Sequence, residues 1–252
     1  MTMMYDTGSS QAWVYSKHGC QMDGQGRCPM IESKMFDHLT SSTYKEYSDD
    51  IVQLSYALGT VEGKVVSDRF CFDPKLEDLC IDDLKFLFVD QGYQMDNYKS
   101  SGFVGMSPQS ASWQDPPSFM QQVTEKIDHE KFKAVFSFLF SKTLLRNGVM
   151  TFGSYDLGKY SKSGLEQDLF WAEMTENKHY WTLRLGGVKF SGSRRNLLPN
   201  TTNLVMDTGM TFCIVPIEDF QDMTSYLFHN HKVVFQESQV YNGFYMGLVT
   251  PQ

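Results

Sequence analysis

Met3-Met4-Tyr5-Asp6-Thr7-Gly8-Ser9-Ser10, near the start of the chain, returns in altered form as Leu204-Val205-Met206-Asp207-Thr208-Gly209-Met210-Thr211. In each copy an apolar run enters Asp-Thr-Gly, passes hydroxyl-bearing residues and turns apolar again, at Trp13-Val14 and at Ile214-Val215. One Asp-Thr-Gly arises by chance in about one chain in twenty of this length. Two of them, each behind an apolar strand, mark an internal repeat. Two unrelated turns that use Asp, Thr and Gly for their turn chemistry would leave the shared flanks unexplained. A strand ending in such a turn presents its carboxylate at the tip, and Gly lets a second chain approach closely. Two such turns facing each other across a pseudo-twofold axis would make neighbours of Asp6 and Asp207.

Paired carboxylates carry a definite chemistry. At hydrogen-bond distance they cannot both ionise, so they hold one proton between them and titrate as a unit. The ionised member can take a proton from a water held between them. The protonated member can donate to the carbonyl oxygen of a peptide and stabilise the oxyanion that develops. This cycle calls for no metal, no cofactor and no covalent intermediate.

The rest of the chain sets bounds. Its 252 residues, 41% hydrophobic and 21% charged, suit one large domain or two modest lobes. A net charge of -8 argues against a phosphate-binding surface, so no nucleic-acid partner is expected. No apolar run is long enough for a spanning helix. Short apolar or alternating runs at 51–56, 64–72, 85–89, 134–140, 149–153, 180–185 and 204–206 predict a mainly β fold. Helices are predicted at 117–127 and 217–229, each opened by a proline. The best boundary is the polar stretch 155–163. Of five cysteines, Cys20 with Cys28 and Cys71 with Cys80 form short-range pairs that suit disulfides in an oxidising compartment. Cys213 is left over, either as a buried free thiol or as one without its partner. No C-x-x-C occurs and the histidines lack zinc spacing, with His229 and His231 read as an exposed helix end, so no metal is expected. The opening residues do not have the pattern of a signal peptide, so a secretion signal is expected outside this chain. Asn200-Thr201-Thr202 is a glycosylation sequon and agrees with a secretory route.

These residues resemble the pepsin family of aspartic peptidases along nearly the whole chain. Asp6-Thr7-Gly8-Ser9-Ser10 with Trp13-Val14 is similar to the family's first catalytic motif, and Leu204 to Thr211 to its second. Cys20 and Cys28 sit where the family often places its first disulfide. Phe36 through Ser41-Ser42-Thr43-Tyr44 is similar to the family's F-x-x-x-x-S-S-T-[FY]. Tyr56-Ala57-Leu58-Gly59-Thr60-Val61-Glu62-Gly63 looks like the hairpin flap that closes over substrate. Gly102-Phe103-Val104-Gly105-Met106 looks like the Gly-apolar-apolar-Gly stretch that threads the ψ-shaped loop of the first lobe. Val149 to Gly153 and Tyr180-Trp181-Thr182-Leu183 look like the inter-lobe strand and the opening strand of the second lobe.

The resemblance implies a mainly β, bilobal pepsin-like acid protease fold with pseudo-twofold lobes: residues 1–155 as the N-terminal lobe and 156–252 as a partial C-terminal one, the second lobe incomplete. It implies an aspartic endopeptidase working at acid pH without a cofactor, with Asp6 and Asp207 as the dyad. Thr7 and Thr208 would cross-brace the turns, and Ser9 would orient the outer oxygen of Asp6. Tyr56 would sit on the flap, steadied by Trp13. Gly8, Gly209 and the flap backbone around Gly59 would bind a peptide or protein substrate in extended form. A monomer in the secretory pathway, extracellular or in a lysosome- or vacuole-like compartment, is expected.

Three departures stand out. Met210 replaces the usual Ser or Thr, and a thioether cannot donate to Asp207. The family's opening strands before Asp6, and a second Gly-apolar-apolar-Gly strand after Asp207, are missing, so this chain is expected to fold poorly or be inactive by itself while the full gene product is active. The alternative reading is a pepsin-like pseudoenzyme that binds peptides or proteins without cutting. A β-rich structural or carbohydrate-binding protein explains neither the paired Asp-Thr-Gly nor the flap pattern.

Overall fold

The first motif lies inside a densely hydrogen-bonded sheet. The computed structural model describes residues 1–17, 35–57, 59–95, 100–108, 116–128, 130, 133–141, 147–241 and 244–250, with side chains described as far as residue 233. Cys20 and Cys28 lie outside the described residues. Six strands, β1 (Met3–Asp6), β2 (Ala12–Tyr15), β3 (Lys45–Tyr56), β4 (Gly59–Cys71), β5 (Cys80–Tyr93) and β6 (Gly102–Gly105), form one sheet in the order β1-β6-β2-β5-β4-β3. The architecture is mainly β, as the apolar runs predict.

Apolar residues on β2, β5 and β6 pack on both faces of this sheet. Neighbours along a strand point to opposite sides. Val14, Phe88 and Val104 therefore enter one core cluster while Trp13, Leu87 and Phe103 enter the other. Strands covered on both faces read as continuous apolar runs, and β2 and β6 are buried throughout. Each large side chain so buried contributes about 1.5–3 kcal/mol. A helix, α1 (Phe119–Lys126), seals one cluster with Phe119, Met120 and Val123, and the Ser118 hydroxyl caps it by accepting the Gln121 N–H.

Strand β6 threads between β1 and β2, parallel to the first and antiparallel to the second. The passage leaves no space for side chains at its two glycines. A Cβ on Gly102 would lie 2.8 Å from the Val14 Cα and closer still to the Trp13 carbonyl oxygen. One on Gly105 would lie 2.6 Å from the Gln11 nitrogen.

The remaining elements are smaller. They are the hairpin β7 (Phe136–Leu139) with β8 (Val149–Phe152), the short helix α2 (Leu157–Tyr160), the pair β9 (Thr182–Arg184) with β10 (Asn203–Val205), helix α3 (Ile217–His231) and the hairpin β11 (Val234–Tyr241) with β12 (Phe244–Thr250). Helix α2 falls within the polar stretch read as a boundary. Among the described residues beyond α1 and its cap Ile127, the buried hydrophobic side chains are Leu197, Leu198 and Leu227, whereas Leu204, Val205 and Met206 are 41%, 45% and 51% exposed. A disulfide joins Cys71 to Cys80, tying the end of β4 to the start of β5. Cys213 is a free thiol and is exposed, which corrects the buried option for it.

Gly102→Ala is expected to lower the unfolding free energy by at least about 2 kcal/mol, as forced overpacking against main chain does. Urea titration of the variant beside the wild type measures it.

Candidate active site

The two Asp-Thr-Gly turns meet through their threonines. The Thr7 N–H donates to the Thr208 hydroxyl at 3.0 Å and the Thr208 N–H donates to the Thr7 hydroxyl at 2.8 Å. Each hydroxyl then donates across to the strand of the other copy: Thr7 Oγ1 to the Met206 carbonyl and Thr208 Oγ1 to the Tyr5 carbonyl, both at 2.8 Å. Each threonine thus gives two protons and accepts one, and the four bonds are related by a local twofold. A hydroxyl donates and accepts at one atom, which lets each threonine serve the brace in both directions.

The brace brings the carboxylates together. A Cβ on Gly8 would overlap the Asp207 carboxylate, and one on Gly209 would overlap Asp6 Oδ1, so both glycines are required by the close approach of the opposite acid. Asp6 accepts the Gly8 N–H at 2.9 Å through Oδ1 and the Ser9 hydroxyl at 2.6 Å through Oδ2. Asp207 accepts the Gly209 N–H at 2.8 Å through Oδ1. Among the described residues no hydroxyl does for Asp207 what Ser9 does for Asp6, because Met210 stands at that position.

The first turn is held from several sides. The Asp6 carbonyl accepts the Met106 N–H at 2.7 Å, the Ser9 carbonyl the Ser107 N–H at 2.9 Å and the Ser10 carbonyl the Phe119 N–H at 2.8 Å. Asp6 is 5% exposed while Asp207 is half-buried. The Asp6 carboxyl is pushed up to about 6, chiefly by burial; the Ser9 hydroxyl and Gly8 N–H pull it down, and the nearby Asp207 carboxylate adds to the rise.

The β3–β4 hairpin overhangs this pair. Tyr56 stands at its tip, its hydroxyl accepting the Trp13 indole N–H at 2.7 Å, and Gly59 packs its backbone against Tyr93 to Met95, with 2.9 Å from a would-be Cβ to the Met95 sulfur. Burial raises the Tyr56 phenol above its ordinary range. Trp13 is fully buried and stacks on Phe103 with ring centroids 4.8 Å apart. Between hairpin and turns lies a cleft of about 510 Å³ lined by Asp6, Asp207, Gly8, Gly209, Tyr56 and Met210. Sequence reasoning did not mark other residues of its wall, Gln53 to Ser55 on β3 and His179 beside Tyr180. Their signal was adjacency: the first three precede Tyr56 and the last precedes the Tyr180-Trp181 motif. Trp181 also donates its indole N–H to the Met106 carbonyl at 2.8 Å, joining the second half to the end of β6.

Asn200 donates its side-chain amide to Asp219 at 3.0 Å. Among the described residues no group of three or more His, Cys, Asp or Glu is placed to hold a metal ion, and no helix is long and apolar enough to cross a membrane.

The sequence model of one family, described as eukaryotic aspartyl protease, matches residues 1–241. The chain belongs to that family. Its pepsin-like character holds against individual relatives as well. It is 25% identical over 222 residues to a probable aspartic-type endopeptidase of Arthroderma benhamiae, covering 87% of this chain and 39% of the relative. It is 25% identical over 223 residues to gastricsin of Oryctolagus cuniculus, covering 88% and 53%. Cathepsin D of Gallus gallus gives 25% over 227 residues, covering 88% and 52%. The chain thus spans about half the length, or less, of these relatives.

The raised Asp6 carboxyl fixes a pH dependence of stability. Its folded value of about 6 lies above the ordinary aspartate value of 3.8. Its contribution is therefore fully present below about pH 4 and is lost as pH rises through about 6. The difference amounts to about 3 kcal/mol at most. Thermal unfolding between about pH 7 and pH 4 is expected to show the wild type gaining stability on acidification relative to Asp6→Asn. Parallel curves for the two proteins would contradict the assignment.

Proposed function

We propose that this chain carries the dyad of an aspartic endopeptidase that hydrolyses peptide bonds of proteins at acid pH, with Asp6 and Asp207 as the catalytic pair. The observation that carries the reading is the reciprocal Thr7–Thr208 brace, which sets the two carboxylates against each other. One proton shared by the pair lets a single site act as base toward water and as acid toward the scissile carbonyl. Water attacks the carbonyl carbon and gives one proton to the ionised carboxylate. The other carboxyl protonates the carbonyl oxygen, and the resulting diol collapses as the C–N bond breaks: the carboxyl protonated by water passes its proton to the leaving nitrogen while the ionised one takes a proton from a diol hydroxyl, which restores the singly protonated pair. Thr7, Gly8, Ser9, Thr208 and Gly209 hold the pair in this geometry.

A peptide would lie in the cleft as an added strand under the flap, using main-chain bonds for affinity and alternate side-chain pockets for selection. Tyr56, kept in place by Trp13, would close over it, with Gly59 turning the hairpin. Residues 1–155 and 156–252 are proposed as the two lobes, with the dyad at their junction. A monomer in the secretory pathway, destined for the exterior or a lysosome- or vacuole-like compartment, fits the oxidised Cys71–Cys80 pair, and Asn200 is proposed as a glycan acceptor in that route.

A second reading is a pseudoenzyme that binds peptides without cutting them. Met210 favours it, since among the described residues Asp207 gains no hydroxyl donor, and the thioether borders the cleft.

Digestion of an unfolded protein at about pH 4, with and without a statine-type transition-state analogue, separates the two. The enzyme reading expects cleavage that the analogue blocks, with Asp6→Asn and Asp207→Asn each lowering kcat/KM by about a thousandfold or more. Peptide binding with no cleavage by the wild type would favour the pseudoenzyme, and cleavage that survives both substitutions would refute the dyad.

A further inference from the structure

The carboxylate of Asp219 is a buried anion outside the cleft. Asp219 is in the first turn of α3 and is 0% exposed. It does not cap its own helix. It reaches back to residues that precede β10: Oδ1 accepts the Asn200 backbone N–H and the Asn200 side-chain amide, each at 3.0 Å, and Oδ2 accepts the Thr201 hydroxyl. A buried carboxylate that satisfies both oxygens with neutral donors is strongly committed to that geometry, because leaving it unpaired is costly.

What Asp219 joins is the base of a loop. Asn200 and Thr201 lead directly into β10, which runs through Met206 into Asp207; the chain then returns through Pro216 to Asp219 itself. Among the described residues the apolar packing that holds the first turn has no counterpart here. Leu204, Val205 and Met206 are 41–51% exposed, and Phe212 and Ile214 are 59% and 52% exposed. The loop is held instead by polar bonds: the threonine brace at its tip, the β9 pairing with Met206 N–H to the Trp181 carbonyl at 3.1 Å along one flank, and Asp219 at its base.

We propose that Asp219 is a positioning residue for the dyad, fixing the base of the second Asp-Thr-Gly loop so that Asp207 stays against Asp6. The inference rests on the reading of Asp6 and Asp207 as the working pair. Asp219 touches neither substrate nor the reacting atoms; it acts through the loop. Burial by itself would raise its carboxyl, but the Thr201 hydroxyl and the Asn200 donors hold it below the ordinary range, so the clamp keeps its charge well into acid.

The test uses the 252-residue chain with carbon-13-labelled aspartate carboxyls and compares wild type, Asp207→Asn, Asp219→Asn, Thr201→Val and Thr201→Ser. Asp207→Asn marks the drop in the Asp6 titration midpoint when the facing charge is gone. Asp219→Asn and Thr201→Val are expected to give a partial drop in the same direction, with kcat down about 10- to 100-fold and KM little changed, while Thr201→Ser restores wild-type values. The proposal is overturned if Thr201→Val folds and leaves both the Asp6 midpoint and kcat as in the wild type, or if only KM responds. Should the 252-residue wild type cleave nothing, the Asp6 midpoints alone decide whether Asp219 positions Asp207.

Discussion

Everything in the site depends on two threonines, each lending its hydroxyl to the other's backbone. Four part-buried hydrogen bonds cross between segments that lie far apart in sequence, where a donor left unmatched on burial would be costly. Because the hydroxyls donate onward to the Tyr5 and Met206 carbonyls, the brace grips the strands as well as the turns. The proximity of Asp6 and Asp207 follows from it. Two acids so close repel when both are charged, so folding energy from elsewhere must hold them together, and the brace is the local source.

The halves of the site are held by different physics. On the first side a six-stranded sheet with apolar clusters on both faces supports the Asp6 turn, and β6 threads the loop so tightly that only glycine fits at its ends. On the second side the apolar strand β10 is exposed and polar contacts take over. This asymmetry extends to the acids themselves. Asp6 is buried with two donors on its carboxylate, whereas Asp207 is half-buried and has Met210 where its counterpart has a serine. The chain's membership in the eukaryotic aspartyl protease family explains why both turns exist; the unequal packing explains why the second needs extra anchoring.

Much of this was legible in the residues. Asp-Thr-Gly repeated behind apolar strands pointed to paired acids, and the likeness of Gly102 to Met106 to the pepsin family's threading stretch marked a strand squeezed between neighbours. The alternation from 51 to 89 gave the long antiparallel strands, and Pro117 and Pro216 marked the two main helices. The hairpin of β11 and β12 was not apparent because Gln236, Glu237 and Ser238 break its apolar run, although Asn242-Gly243 is a strong hairpin signal. The role of Asp219 was hidden for a different reason. In Ile217-Glu218-Asp219 it looks like a solvated charge in a first helical turn, and Asn200 reads as part of a sequon. Only the fold places one against the other. The Cys20 and Cys28 pairing, outside the described residues, is still an expectation from sequence.

The central claim is that Asp6 and Asp207 hold one hydrogen ion jointly. Neutron diffraction from deuterium-exchanged crystals grown at about pH 5 tests it most directly. The account predicts a single deuteron on the facing oxygens of the two carboxyl groups, with the Thr7 and Thr208 deuterons aimed at Met206 and Tyr5. Two bare carboxylates turned away from each other, with no deuteron between them, would contradict it.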